Sequence, residues 1–128
     1  MKSKRGRNFA CILYPDNWSF DTFDQIKEII RGWHTQVFIS PCHDSDHNKD
    51  GEIEKPHYHL LVRFDGCKSR DQVAELFNQL GECVAGLEFV DNFRGYARYL
   101  CHLDEDPLVK THYDPEQVWS STDVTYAN

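Results

Sequence analysis

No apolar run in this 128-residue chain approaches the length of a membrane span. Residues 1–7 lead into no hydrophobic signal core. Neither a membrane span nor a signal peptide is expected. Disulfide chemistry is lacking as well. The five cysteines (Cys11, Cys42, Cys67, Cys83 and Cys101) are odd in number and form no C-x-x-C pair, which fits reduced, buried thiols of a cytoplasmic protein. Nor is there an excess of positive charge: 14 Lys and Arg stand against 21 Asp and Glu, a formal net charge of −7. Composition alone therefore argues against a phosphate-rich partner. No repeat or low-complexity stretch interrupts the chain. With 40% hydrophobic and 27% charged residues, it has the make-up of one ordinary globular domain, long enough to bury a core without staples.

What is present is locally grouped. Basic residues gather at Lys2, Lys4, Arg5 and Arg7, at Arg63, Lys68 and Arg70, and at Arg94 and Arg98, while acids concentrate in 44–54 and 104–106. Residues 8–14 (NFACILY) form a short apolar run closed by Pro15, a buried strand. Phe20, Phe23, Ile26, Ile30 and Trp33 then recur at helical intervals, with Gly32 near the end. Strands are expected over 36–41 and 56–64, joined by a polar loop with Asp50-Gly51 as its turn signal. Ser69-Arg70-Asp71-Gln72 fits a capping box, followed by the apolar face Val73, Leu76, Phe77 and Leu80 and the stop Gly81. A fourth strand over 86–90 and a third helix from Asn92 to about Leu103 follow, and 108–113 reads as a closing edge strand.

This order predicts an α+β fold: an antiparallel β-sheet with helices on one face, on a ferredoxin-like or split βαβ plan. Such a sheet leaves its other face open. The domain is expected to occupy 1–119, with 120–128 a C-terminal tail or the start of a linker.

The chemistry concentrates in residues 40–64, SPCHDSDHNKDGEIEKPHYHLLVRF. Strand residues at i and i+2 share a face, so His57 and His59 project together and Tyr58, Leu60, Val62 and Phe64 line the opposite side. With strand 36–41 alongside, His43 and Asp46 approach the same place. Three imidazoles and a carboxylate make a metal site suited to Mn, Zn or a similar ion, with open positions for a phosphate oxygen. A calcium loop also overlaps here. Residues 46–53 follow an EF-hand as far as its sixth-position glycine, yet the closing twelfth position holds His57 rather than Glu, and strands flank it.

The second constellation is Gly95-Tyr96-Ala97-Arg98-Tyr99-Leu100-Cys101-His102. On a helical wheel Phe93, Tyr96, Ala97, Leu100 and Leu103 form the stripe that faces the sheet. Tyr96 is then the packing tyrosine, and Tyr99, at the border, can reach out. A phenol is a poor nucleophile at neutral pH, but beside a divalent cation it can attack a phosphodiester polarised by that cation. Taken alone, Tyr99 also fits an ordinary amphipathic rim residue.

KPHYHLLV and SPCHDSD, followed some forty residues later by RGYARYLCHLD, resemble the HUH endonuclease superfamily. Within it, the similarity is to the rolling-circle replication initiators (Rep proteins) of small bacterial plasmids. It runs from ILYP near the start to KTHYDP near the end. The resemblance implies His57 and His59 as paired metal ligands, His43 as a third, and Asp46 as a further ligand or supporting carboxylate. It implies Mn²⁺ or Mg²⁺ as the cofactor. It implies Tyr99 as the nucleophile that nicks one strand, keeps the 5′-phosphate and releases a 3′-hydroxyl. Many relatives carry Lys three residues after the nucleophile, where this chain has His102, a possible source of catalytic support. Arg63, Arg94, Arg98, Lys4, Arg5 and Arg7 are candidate DNA contacts. The implied partners are single-stranded DNA at the nick site, double-stranded origin DNA and host replication proteins, with no membrane partner. Larger relatives add a helicase or oligomerisation domain after this one, so helicase function is not expected within these residues and homo-oligomers would form through a further segment. Two alternatives stand beside this reading: a metal-free nucleic-acid-binding module on a ferredoxin-like sheet, and a hydrolytic metallo-nuclease with no covalent intermediate.

Overall fold

Period-two alternation decides how the sheet is buried. In the computed structural model, which describes residues 4–14, 23–42, 56–101 and 117–122, five strands run in the order β4-β1-β3-β2-β5. They are β1 (Arg5–Leu13), β2 (Gln36–Ile39), β3 (Tyr58–Ser69), β4 (Val84–Phe89) and β5 (Trp119–Ser120). Among the described residues every strand pairing is antiparallel. β3 lies in the middle of the sheet, paired with β1 on one edge and β2 on the other. Because β3 separates β1 from β2, and β1 separates β3 from β4, the β1–β2 and β3–β4 connections each cross over one intervening strand: the split βαβ arrangement.

Helix α1 (Phe23–Arg31) forms because Ile26 and Ile30, one turn apart, both find the sheet and are fully buried. Asp24 in its first turn and Arg31 in its last complement the helix dipole. It ends in a turn where His34 takes φ of 54°. Helix α2 (Arg70–Phe77) starts at the capping box read from the sequence: the Gln72 N–H donates to Ser69 Oγ at 3.2 Å, and the Ser69 N–H donates to Gln72 Oε1 at 2.9 Å. Gly81, with φ of 81°, breaks the 3₁₀ segment Asn78–Cys83 that follows. Trp33 stacks on Phe77 (centroids 5.1 Å apart) and donates from Nε1 to Gln79 Oε1 at 2.9 Å, tying the ends of α1 and α2 together.

Two cores result, one per face. Phe9, Cys11, Leu13, Leu60 and Val62 meet α1 and α2 in the larger. The opposite parity supplies Ala10, Leu61 and Phe38, which lie in register as one rung across β1, β3 and β2. Helix α3 (Phe93–Tyr99) closes that rung with Leu100, Phe93, Tyr96 and Ala97. The antiparallel α+β class holds, and α1 and α2 share one face as expected. The second face, expected to be open, is instead covered by α3 at its middle, where Leu61 is fully buried. The physical reason is that the apolar stripe of α3 has only this face left against which to bury itself.

Boundaries shifted at strand ends. β1 begins at Arg5 and β3 continues to Ser69, because the polar residues of each pair with the other (Arg5 with Ser69, Gly6 with Lys68). The chain end also differs. β5 pairs with β2, the Ser121 N–H donates to Val37 O at 3.0 Å, and Ser121 Oγ accepts from the Val37 N–H at 2.8 Å and donates to Thr35 O at 2.7 Å. Ser120 thus lies in β5, and Ser121 is bonded to β2 beside it. The strand expected at 108–113 lies outside the described residues. No described helix is long and apolar enough to cross a membrane.

Ser69→Ala should cost about 1 kcal/mol of unfolding free energy in urea titration, the usual loss for a helix cap. Burial pushes the Cys11 thiol far above its ordinary value, and Cys83 beside it adds to the effect; Cys83 is raised by burial too. The folded state therefore keeps these thiols protonated. Stability should hold below the ordinary thiol value of about 9 and fall as pH rises beyond it, where only the unfolded chain ionises. Thermal melts of wild type and Cys11→Ala between pH 7 and 10 would show a smaller alkaline loss in the variant.

Candidate active site

Successive rungs of the α3 face carry the candidate site. The Ala10–Leu61–Phe38 rung is the floor beneath α3. Two residues toward the start of β3 comes His59, facing Ile12 on β1 and bonded to Ser40 beyond β2. Two further on comes His57, its ring 6.2 Å from that of Tyr14. Both histidines are buried, at 6% and 4% exposure. Arg63 lies in the opposite direction, exposed, its guanidinium 5.4 Å from the Phe93 ring centre.

The two imidazole rings stand edge to face, centroids 5.0 Å apart at 81°. That separation suits a shared ion. With metal–nitrogen bonds of roughly 2.1 Å and bond angles of 90–110°, the centres of two ligating rings would lie about 4.5–5.3 Å apart. Neutral imidazoles also favour a transition-type cation over calcium, which prefers an oxygen cage. Among the described residues no group of three or more His, Cys, Asp or Glu could hold a metal. His43 and Asp46, the other expected ligands, lie outside the described residues, as does His102.

Tyr99 is the last residue of α3, and Leu100 immediately after it is fully buried in the rung beside Leu61. That anchors the C-terminal end of α3 on the histidine face. Tyr96 is half-buried and packs on the second core, as the wheel indicated. It also lines a cleft of about 620 Å³ that runs from His59 past Ile12 to Glu88, Asp91 and Gly95. Nothing in the sequence marked Glu88 or Asp91. Glu88 faces the cleft because it pairs with Ala10, whose side chain lies on the α3 side, and the register shift in β1–β4 pairing past this point coincides with Gly86 at φ of 65°.

The expected DNA contacts separate into two groups. Arg63, Arg94 and Arg98 are exposed on or beside α3. Arg5 turns toward α2, donating from Nη2 to Cys67 O at 3.2 Å and to Gln72 Oε1 at 3.4 Å. Lys4 lies over the Phe89 ring at 4.6 Å and pairs with exposed Asp91 at 3.8 Å. Arg7 is exposed between Gly6 and Asn8, where the β1–β3 register shifts. The second group therefore sits at the far end of β3 from the histidines.

Residues 1–125 match the family model of the plasmid replication protein origin-binding domain. The chain belongs to that family. It is 31% identical over 123 residues to a replication protein of Staphylococcus aureus, covering 96% of this chain and 59% of that protein. It is 36% identical over 115 residues to the replication protein RepB of Lactiplantibacillus plantarum, covering 87% of this chain and 46% of that one. The chain thus spans about half the length of these relatives.

Helix α3 depends on its start. Asn92 Oδ1 accepts from the Gly95 N–H at 3.0 Å, and a Cβ on Gly95 would come within 2.7 Å of Asn92 Nδ2. Asn92→Ala should cost about 1 kcal/mol in urea unfolding. Gly95→Ala should fail to give the gain of about 1 kcal/mol usual for this change inside a helix, since it displaces that cap.

Proposed function

We propose that this chain is the nicking domain of a plasmid replication initiator, a metal-dependent endonuclease of the HUH type that cuts and rejoins one DNA strand through a 5′-phosphotyrosine on Tyr99. The observation that carries the reading is the pair of buried imidazoles, His57 and His59, on the sheet face against which the Tyr99 helix is anchored, within an origin-binding domain. Both imidazoles are buried on the sheet face that also carries Ala10, Leu61 and Phe38. His43 and Asp46 would complete the ligand set. When bound, Mn²⁺ or Mg²⁺ supplies charge neutralisation and polarisation of the scissile phosphate.

The chain's own residues do the rest. The Tyr99 phenol loses its proton and its oxygen attacks phosphorus; a tyrosine–phosphate bond forms, the bond to the 3′ oxygen breaks, and that oxygen takes a proton as the free 3′-hydroxyl. The reverse step, with a 3′-hydroxyl as attacking group, reseals the strand. His102 is placed by sequence to support this proton traffic. Arg63, Arg94 and Arg98 border the face where a strand crossing α3 would run, and Lys4, Arg5 and Arg7 would meet duplex origin DNA at the other end of the sheet. The alternative of a metal-free module reading bases on an open sheet is less well supported: α3 occupies the middle of that surface, and Phe38, Phe93 and Tyr96 there pack in the second core.

A labelled single-stranded oligonucleotide carrying the origin sequence, incubated with Mn²⁺ and run on a denaturing gel, tests the reaction class. Wild type and Tyr96→Phe should yield a DNA-linked protein band, and Tyr99→Phe should yield none. Cleavage by wild type without a linked band would make water the nucleophile and overturn the phosphotyrosine mechanism. Removing the ion with a chelator should abolish cutting. His59→Ala should weaken Mn²⁺ binding at least about tenfold in calorimetric titration.

A further inference from the structure

Ser40 stands one residue beyond β2, at the point where that strand leaves β3. It is a buried polar residue, 3% exposed. Its N–H donates to His59 O at 2.9 Å. In an antiparallel ladder the return bond at such a rung runs from the opposite N–H to the main-chain carbonyl. Here the His59 N–H donates to the Ser40 hydroxyl oxygen instead, at 2.9 Å, and that hydroxyl donates in turn to Pro41 O at 2.8 Å. A hydroxyl is the one small group that can accept and donate at once. It therefore joins the backbone of His59 to the first carbonyl of the segment that leads, two residues later, to His43 and then Asp46.

The candidate ligands come from two places in the chain: His57 and His59 at the start of β3, and His43 and Asp46 after β2. Main-chain bonds fix β2 against β3 through the Ile39–Leu60 pair and on to the single bond from the Ser40 N–H to His59 O. Beyond it Pro41 has no N–H to offer, and the Ser40 hydroxyl bonds the end of β2 to the histidine strand. We infer that Ser40 is a positioning residue for the metal centre, its hydroxyl holding the His59 backbone, and with it the imidazole, against the end of β2. This rests on the metal-centre reading proposed above. Ser40 touches no substrate and acts only through the ligands it places.

Loss of the hydroxyl leaves the buried His59 amide without that acceptor and the Pro41 carbonyl without that donor. Threonine keeps both bonds, and cysteine keeps a weak version of each. The test measures Mn²⁺ affinity by electron paramagnetic resonance of free Mn²⁺ in wild type, Ser40→Ala, Ser40→Cys and Ser40→Thr. Ser69→Ala, which weakens the remote α2 cap, serves as a control for general destabilisation. Ser40→Ala should bind Mn²⁺ 10–100-fold more weakly, Ser40→Cys should fall between, and Ser40→Thr should stay within about threefold of wild type, the range expected for groups that orient metal ligands. Ser69→Ala should bind like wild type. Should Ser40→Ala not fold, the order wild type, Thr, Cys decides the matter. Equal affinity in all the Ser40 variants that fold, or an equal loss in Ser69→Ala, would overturn the positioning role alone. Absence of Mn²⁺ binding by wild type would overturn the metal centre and this inference with it.

Discussion

Everything in this domain depends on β3 being paired on both edges and buried on both faces. From His57 to Val62, only Tyr58 is more than slightly exposed. A strand in that position cannot slip by one residue without sending His57, His59 and Leu61 into the α1–α2 core and Leu60 and Val62 out of it. Its register is therefore held by the largest energetic term in the fold, apolar burial on both sides. The histidines inherit that rigidity. An imidazole pair on such a strand is pre-positioned by the core itself, and a ligand meeting it faces little further cost of ordering side chains.

The second consequence concerns α3. A seven-residue helix has little stability of its own. It persists through its Asn92 cap and through Leu100, Phe93 and Tyr96 laid on the Ala10–Leu61–Phe38 rung. One small apolar patch thus both completes the second core and brings the Tyr96–Tyr99 segment to the histidine face. Stability and site assembly are coupled there, so substitutions in the rung, Leu61 above all, should disturb both together.

The acidic total loses its force once charge is placed in the fold. The described residues carry ten Lys and Arg against eight Asp and Glu. The acid excess belongs to the remaining segments, chiefly 44–54 and 104–116, the first of which contains the expected ligand Asp46. A net charge averaged over the chain says little about the field at any one surface, because exposed charges beyond a Debye length of roughly 8–10 Å are largely screened from one another. Arg63 beside α3 and Arg5 beside α2 act locally, whatever the sum.

Much was legible in the sequence. The alternation of residues 57–64 separated His57 and His59 from Leu60, Val62 and Phe64, and the Ser69–Gln72 box and Gly81 marked both ends of the α2 region. Local rules suffice there, since sharing a face or capping a helix involves residues only a few positions apart. The cover over the histidine face was not legible, and neither were the cleft residues Glu88 and Asp91, the pairing of β5 with β2, or the bond from the His59 amide to Ser40. Each joins segments far apart in the chain: Leu61 with Leu100, His59 with Glu88, Val37 with Ser121, His59 with Ser40. The sequence by itself determined which side chains travel together on a strand or helix. Only the tertiary structure decided what those faces meet, because that choice is made by competition among all the apolar surfaces of the chain for the same burial.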